Sequence, residues 1–133
     1  MNYLDSNLII YAILDDTDLG EWARGVLEQV QNSQIKTCTS YLTFDEVYCK
    51  VNKEKGTDTA MKNITAFLCL TNLRFMEVND LVIWKSLELI KEYGFLPGDA
   101  IHAASAIISG ATAIISQEND FDRLKELKRK WIG

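Results

Sequence analysis

The segment between residues 97 and 115 constrains the fold of this chain more than any other. Pro97 and Gly98 predict a loop, and Asp99 then occupies the position expected for the N-cap of a helix. Residues 100–109 are small and apolar, which predicts a helix that is buried on most of its sides. The apolar run at residues 112–115 has the length and β-branching of a buried parallel strand. A buried helix followed at once by a buried strand is typical of an α/β fold.

Short apolar runs alternate with segments of helical periodicity along the rest of the chain. Strands are predicted at residues 2–5, 35–39, 73–78 and 112–115, and residues 131–132 are just long enough for a short edge strand. A turn is predicted at Ser6-Asn7, followed by a short apolar helix through residue 14. Further helices are predicted at residues 19–31, 41–53, 57–70, 79–94 and 100–109, and in the charged segment from residue 121. Strands separated by helices imply a parallel sheet with helices on both faces. We therefore predict one domain over residues 1–133, a three-layer α/β/α sandwich around a parallel sheet of four to five strands.

Composition limits the possible classes of function. No apolar run approaches the roughly 20 residues that a membrane span needs, and the chain begins with a predicted strand rather than a signal peptide. Cys38, Cys49 and Cys69 are odd in number and lack Cys-x-x-Cys spacing, which predicts reduced, buried thiols in a cytoplasmic protein. The net charge is −5, so any binding of nucleic acid has to depend on a local site.

Acidic residues stand at the ends of several predicted elements. Asp5 ends the first strand, Glu46 lies in the first turns of the helix after the second strand, and Asp99 opens the apolar helix. Glu118 and Asp120 follow the last buried strand. Ligand sites in open parallel sheets form beyond the carboxyl ends of the strands. We therefore expect these acids to converge on one pocket at that edge of the sheet.

Each acid also has a purely structural interpretation. Asp5, Ser6 and Asn7 are residue types that favour a turn, and Thr43 with Glu46 has the spacing of a capping box. Asp99 and Asp120 can each serve as a helix cap. Separate caps have no reason to converge on one edge of a sheet, whereas a metal site requires convergence. The relative positions of the acids therefore distinguish the two interpretations.

Converging carboxylates predict a divalent cation and hydrolysis at phosphorus. Carboxylates crowded together repel one another and take up protons unless a cation keeps them ionised. Mg²⁺ or Mn²⁺ prefers oxygen ligands and binds through a few carboxylates together with a substrate phosphate. A single histidine and the absence of a cysteine cluster disfavour zinc. The expected reaction uses water activated by the metal to cleave a phosphate ester.

Four motifs resemble those of PIN (PilT N-terminus) domains and span nearly the whole chain in the order found in that family. They are Leu4-Asp5-Ser6-Asn7, Thr43-x-x-Glu46-Val47, Asp99-Ala100-Ile101-His102-Ala103-Ala104 and Ser116-x-Glu118-x-Asp120-Phe121. At this length the chain is similar to the VapC toxins of prokaryotic toxin–antitoxin pairs. The resemblance implies an Mg²⁺- or Mn²⁺-dependent endoribonuclease that cleaves RNA, is usually a homodimer, and is inhibited by a small VapB-type antitoxin.

The resemblance also implies the residues of the site. It assigns Asp5, Glu46 and Asp99 to the first three acidic positions, and Ser6 and Ser116 to polar neighbours that orient water or phosphate.

For the fourth acidic position, motif alignment selects Glu118, although that family position is commonly Asp or Asn. Residues two apart in an extended loop point to the same side, so Glu118 and Asp120 can both face the pocket. We expect Glu118 to face the metal without a structural role, and Asp120 to hold the loop and cap the last helix while Phe121 anchors it. His102 lies three positions after Asp99, which makes it a candidate base facing the site. It is interpreted instead as a packed helix histidine, because the metal already supplies the hydroxide.

Three other interpretations stay open at this stage. A haloacid-dehalogenase-type phosphatase needs a second Asp two residues after the first, where Asn7 stands. A receiver domain needs paired acids near the first strand and a Lys after a late strand, and neither is found. A catalytically inactive, dimerising PIN module would keep the same fold. Dimerisation itself is favoured by a surplus of aromatic residues on the predicted helices, namely Trp22, Tyr41, Phe44 and Tyr48.

Overall fold

A parallel five-stranded sheet forms the centre of the computed structural model, which describes residues 1–132. The strands are β1 (Asn2–Leu4), β2 (Thr37–Ser40), β3 (Leu73–Met76), β4 (Ala113–Ile115) and β5 (Lys128–Lys130). They lie in the order β3-β2-β1-β4-β5, and every neighbouring pair is parallel. The first strand of the sequence is therefore the central one, and the carboxyl ends of β2 and β4 lie on either side of its own.

Helices cover both faces of this sheet. They are α1 (Ser6–Leu14), α2 (Asp18–Gln31), α3 (Leu42–Lys55), α4 (Thr57–Leu68), α5 (Asp80–Tyr93) and α6 (Pro97–Ile108), and Asn119–Arg123 forms a 3₁₀ turn. Tyr3 belongs to the core shared with α5 and α6, whereas Leu4 belongs to the core shared with α1 to α4. Successive strand residues face opposite sides of a sheet, so β1 contributes to both cores. The predicted α/β/α sandwich is confirmed, with five strands.

The buried helix predicted from the small apolar residues is α6. Ala100, Ala103, Ala104 and Ala106 are completely buried, and their small side chains allow the helix to pack closely against its neighbours. Gly110, two residues after the helix, has φ +82°, a backbone conformation that glycine adopts without the steric cost of a Cβ atom.

The start of α6 differs from the prediction. The helix begins at Pro97 with Leu96 as its N-cap, so Asp99 lies in the first turn instead of at the cap. Proline suits the first helical position because the backbone N–H that it lacks has no intrahelical partner there. Asp99 is therefore not needed as a cap, and its carboxylate still lies at the helix end where a negative charge is favourable.

The C-terminal segment also differs from the prediction. The expected charged helix from residue 121 is a 3₁₀ turn followed by β5, and the edge strand is Lys128–Lys130 instead of residues 131–132. Lys128 donates its backbone N–H to Thr112 at 3.0 Å, which begins the pairing with β4. Exposed lysines are common on edge strands, where they discourage pairing with other chains.

The three cysteines are free, but only Cys38 is buried, while Cys49 and Cys69 are exposed. The prediction of three buried thiols is therefore wrong for two of them. Within residues 1–132, no helix combines the length and the apolar character that crossing a membrane requires.

Candidate metal centre

Asp5 is fixed at the carboxyl end of the central strand by hydrogen bonds from two directions. It is buried, and its Oδ1 accepts the backbone N–H of Ser6 at 2.7 Å, which caps α1. Its Oδ2 accepts the hydroxyl of Ser116 at 2.5 Å, just beyond β4. Ser116 Oγ in turn accepts the backbone N–H of Glu118 at 3.0 Å. Asp5 therefore caps α1 through Oδ1 and contacts, through Oδ2 and Ser116, the loop that carries Glu118.

Glu46 has no capping role, although Thr43 and Glu46 have the spacing of a capping box. Tyr41 is the N-cap of α3 and forms no side-chain cap, while Thr43 Oγ1 is bonded to Thr39 Oγ1 at 2.8 Å. The side chain of Glu46 extends instead toward the start of α6, where a Cβ atom added to Gly98 would lie 3.5 Å from Glu46 Oε2. The starts of α3 and α6 therefore meet at this carboxylate.

His102 connects Glu46 with Asp5. It is buried on α6, its Nε2 is hydrogen-bonded to Glu46 Oε1, and the same nitrogen lies 3.5 Å from Asp5 Oδ1. On the other side of the ring, Nδ1 lies 2.7 Å from Tyr3 Oη. A neutral imidazole satisfies both hydrogen bonds by donating Nε2–H to Glu46 and accepting the Tyr3 O–H at Nδ1. His102 is packed, as expected, but its contacts also make it part of the acidic site.

The interaction with His102 keeps Glu46 ionised. Burial opposes ionisation of Glu46, but the hydrogen bond from His102 and the charge of His102 outweigh it, so the pKa of Glu46 is lowered. Burial likewise opposes protonation of His102, and Asp5 and Glu46 outweigh that effect and raise the pKa of the imidazole. The two groups therefore stabilise each other's charged forms.

Asp99 carries the clearest sign that acids are crowded together. Its pKa is raised to about 6, mainly by burial and then by the negative charges of Asp5 and Glu118, with a smaller contribution from Glu46. His102 acts in the opposite direction. Carboxylates shift one another's pKa in this way only when they lie close together. Asp5 and Glu46 meet at His102, which lies three residues after Asp99 on α6. Glu118 is joined to Asp5 through the hydroxyl of Ser116.

The loop after β4 reverses the roles expected for its two acids. Glu118 is the N-cap of the 3₁₀ turn, because its Oε1 accepts the backbone N–H of Asp120 at 3.1 Å. The prediction that Asp120 caps this segment and that Glu118 has no structural role is therefore wrong. Asp120 is exposed, and its carboxylate forms no hydrogen bond within residues 1–132. Phe121 is completely buried, so it anchors the loop as predicted.

The donor atoms at this site fit a divalent cation. Asp5, Glu46 and His102 each offer one atom, and these three atoms lie within 4.8 Å of one another. Carboxylate oxygens suit Mg²⁺ and Mn²⁺. His102 Nε2 carries the proton that it donates to Glu46, so the imidazole orients this carboxylate instead of binding the ion. A cation would also offset the repulsion that raises the pKa of Asp99.

Asn7 lies at the open side of the site. Its Nδ2 is 3.4 Å from both Asp5 Oδ2 and Ser116 Oγ. A groove of about 410 Å³ runs from Asn7 past Tyr11 and Lys50 to Gln117. Asn7 therefore lies between Asp5 and a surface groove that carries polar side chains.

Comparison with known proteins gives one family and a consistent fold. The family model described as PIN domain matches residues 3–127. A VapBC2 complex from Rickettsia felis bound to DNA from its promoter is similar with a TM-score of 0.75 and 20% identity, covering 98% of each chain. VapC20 of Mycobacterium tuberculosis, a toxin that cleaves the sarcin–ricin loop, has a TM-score of 0.74 and 15% identity, covering 92% of this chain and 93% of that chain.

A DNA-bound VapBC complex from Salmonella typhimurium has a TM-score of 0.75 and 15% identity, covering 98% of this chain and 96% of that chain. Identities this low establish a shared fold. A search of curated proteins gives no match.

Proposed function

Because the chain belongs to the PIN domain family, we propose that it is an endoribonuclease that depends on Mg²⁺ or Mn²⁺ and acts as the toxin of a toxin–antitoxin pair. The observation that supports the proposal is the meeting of Asp5, Glu46 and His102, whose donor atoms lie within 4.8 Å of one another at the carboxyl edge of the sheet. Family membership also argues against the phosphatase and receiver alternatives, whose motifs the chain lacks.

Asp5, Asp99, Glu46 and Glu118 would hold the cation, with Ser6 and Ser116 as supporting residues. When bound, the cation supplies Lewis acidity at the phosphate and activation of the attacking water. Other residues of the chain orient the acids that would hold the cation. Ser116 and the Ser6 N–H hold both oxygens of Asp5, and His102 holds Glu46 in its ionised form.

Asp99 also links cation binding to proton release. Without a cation, burial and the neighbouring acids keep the Asp99 carboxyl protonated up to a pH of about 6. Carboxylates bind metal in their ionised form, so below a pH of about 6 binding of a cation would be coupled to loss of this proton. Asp120 stays a less central member of the proposed catalytic set, because its exposed carboxylate has no partner within residues 1–132.

The proposal extends to substrate and partners. RNA is the proposed substrate, the functional unit is a homodimer of one-domain chains, and a small antitoxin protein inhibits it in the cytoplasm. The fold likeness to VapBC complexes and to VapC20 supports this part of the proposal. An inactive dimerising PIN module would share the same likeness, so activity has to be measured.

A cleavage assay on structured RNA tests the proposal. Parallel reactions contain Mg²⁺, Mn²⁺ or a chelator, and each is run with the wild type, Asp5→Asn and Asp58→Asn. Asp58 is an exposed acid in the first turn of α4 and controls for a general loss of negative charge. We expect metal-dependent cleavage by the wild type and Asp58→Asn, and a loss of at least 100-fold in Asp5→Asn, in the range that removal of a key electrostatic group causes. Equal cleavage with chelator, or no cleavage in any reaction, would reject the proposed activity.

A further inference from the structure

The surface groove that begins at Asn7 is enclosed by α1, α3 and the loop after β4. Its lining residues at positions 7, 10, 11 and 14 share one face of α1, because they are spaced by three and four residues. Lys50 and Glu54 line it from α3, and Gln117 lines it from the loop. The volume of about 410 Å³ is in the range of pockets that bind small organic ligands. We call this feature the α1 groove.

The α1 groove adjoins the acidic site at two points. Asn7 lines the groove, and its Nδ2 lies 3.4 Å from Asp5 Oδ2. Gln117 follows Ser116, whose hydroxyl is hydrogen-bonded to Asp5, and the Gln117 backbone N–H lies 3.4 Å from Asn7 Oδ1. In RNA only a sugar separates a phosphate from the neighbouring base. A phosphate bound at the acidic site would therefore carry a base to the α1 groove.

The charges of the α1 groove disfavour a second phosphate and favour an uncharged group. The lining contains two carboxylates, Asp15 and Glu54, and one ammonium, Lys50. Lys50 Nζ already lies 3.1 Å from Glu54 Oε1. The aliphatic side chains of Ile10 and Leu14 complete the walls on α1. Apolar walls with polar groups between them suit a nucleobase, which has apolar faces and a polar edge.

The side-chain amide of Gln117 is held in one orientation. Tyr11 donates its hydroxyl to Gln117 Oε1 at 2.8 Å, whereas Gln117 Nε2 has no hydrogen-bond partner within residues 1–132. The Tyr11 ring lies against Trp131, with centroids 5.9 Å apart. Trp22, expected at a dimer surface, packs on the same Trp131 at 4.9 Å. The Gln117 oxygen is therefore occupied, and its two N–H groups are available to a ligand.

We propose that the α1 groove receives the base of a nucleotide next to the scissile phosphate, and that Gln117 selects a keto base, uracil or guanine. The amide N–H donates to the carbonyl oxygen of a keto base. Cytosine and adenine carry an amino group at the same position, so two donors would face each other without an acceptor. The inference rests on the proposed ribonuclease function and names the base preference of its site.

Binding of nucleosides to the metal-free protein tests the groove without requiring cleavage. Uridine and cytidine are matched probes, because both are uncharged pyrimidines that differ in the keto or amino group of the base. Each is titrated into the isotopically labelled full chain, and nuclear magnetic resonance follows the side-chain amides of Gln117 and Asn7. We expect uridine to shift both signals and to bind about three- to ten-fold more tightly than cytidine, the effect of one hydrogen bond.

Gln117→Glu replaces the donors of this side chain with an acceptor. The carboxylate can still accept the Tyr11 hydroxyl, but it offers the groove no N–H group. The ratio of uridine affinity to cytidine affinity should therefore fall about ten-fold or more, because one hydrogen bond is lost and another is gained. Asn119→Asp is the matched control, since Asn119 is exposed in the same loop but does not line the α1 groove. It adds the same charge and should keep the preference for uridine.

Sequencing of cleavage products connects the groove with the active site. Random single-stranded RNA is cleaved with Mn²⁺ in reducing buffer, because Cys49 and Cys69 are exposed and free. We expect uracil and guanine to be enriched on one side of the cut for the wild type and Asn119→Asp. For Gln117→Glu, cytosine and adenine should replace them. Circular dichroism and thermal unfolding check that each variant retains the fold.

Three results would overturn the inference. They are the absence of uridine-induced shifts at Gln117 and Asn7, a ratio of uridine to cytidine affinity that Gln117→Glu leaves unchanged, and cut sites whose flanking bases do not change in that variant. Cleavage of RNA together with any of these results would leave the nuclease proposal intact. Uridine binding that Gln117→Glu reverses, in a protein that cleaves no RNA, would retain base selection by Gln117 and reject the nuclease proposal.

Discussion

The hydroxyl of Ser116 lies 2.5 Å from Asp5 Oδ2 and thereby joins the ends of β4 and β1, although 111 positions separate the two residues in the chain. The same hydroxyl accepts the backbone N–H of Glu118 at 3.0 Å. One buried side chain therefore fixes the central acid and the loop that carries a second acid.

Ser116→Ala should destabilise the fold by about 1–3 kcal/mol, because it leaves a buried carboxylate oxygen and a backbone N–H without their partner. Ser105→Ala is the matched control. Ser105 is also completely buried, but its Oγ has no hydrogen-bond partner, so the substitution should leave the free energy of unfolding unchanged or slightly higher. Urea unfolding measures both. Equal destabilisation in the two variants would mean that loss of the Ser116 hydrogen bonds is not the cause.

Tyr3→Phe should lower the free energy of unfolding by about 1–2 kcal/mol, because His102 Nδ1 loses its buried partner. It should also reduce metal-dependent cleavage, since His102 would hold Glu46 less firmly. Tyr11→Phe removes an exposed hydrogen bond of 2.8 Å to Gln117 and serves as control, with an expected change below about 0.5 kcal/mol. Unfolding and cleavage are measured on the same preparations. Full activity in Tyr3→Phe would separate the Tyr3–His102 contact from the function of the site.

Asp99→Asn should stabilise the metal-free protein at neutral pH relative to the wild type. The pKa of Asp99 is about 6 in the folded chain and ordinary in the unfolded chain. The folded state therefore binds more protons between these values, and the contribution of Asp99 to stability falls as pH rises through about 4 to 6.

At pH 7.5 the variant should match the wild type or exceed it by about 1 kcal/mol, since solvent screens this half-exposed group and loss of the favourable helix-end charge offsets part of the gain. Near pH 4 the advantage should disappear. Urea unfolding in chelator at both pH values measures this, and metal affinity should drop. Unfolding of Asp99→Asn at every pH would instead show that the carboxylate has a mainly structural role.

Glu118→Gln should impair metal-dependent cleavage about ten-fold or more while retaining the fold. The amide oxygen of Gln can still accept the Asp120 N–H, so the cap survives while the charge near Asp99 is lost. Asp120→Asn should change both cleavage and stability little, because its carboxylate has no partner within residues 1–132. Cleavage rates and thermal unfolding are compared side by side. A deeper cleavage defect in Asp120→Asn would exchange the roles of the two acids.

The fold follows from local patterns that are strong in this sequence. Small residues in α6 predict a buried helix, and β-branched runs separated by helical segments predict the parallel sheet. Parallel strands gather the residues that follow them at one edge, so the meeting of Asp5 and Glu118 could be inferred without coordinates.

The features of the structure that the sequence does not predict depend mostly on contacts between residues that are far apart in the chain. The strand Lys128–Lys130 is set by pairing with β4, and charged residues give no periodic signal for it. The sequence predicts the start of α6 too late, because Pro97 and Asp99 are both acceptable near a helix N-terminus. The hydrogen bond of His102 to Glu46 spans 56 positions, and only the spacing of three residues from Asp99 hinted at it.

Binding of Mn²⁺ to the metal-free protein, followed by electron paramagnetic resonance, tests the central claim most directly. We predict that the wild type and Asp58→Asn bind the ion with equal affinity at pH 7.5, and that Asp5→Asn and Asp99→Asn bind it at least ten-fold more weakly while keeping the native circular dichroism spectrum. Binding of Mn²⁺ by folded Asp5→Asn with the affinity of the wild type would contradict the assignment of this acidic edge as a metal centre.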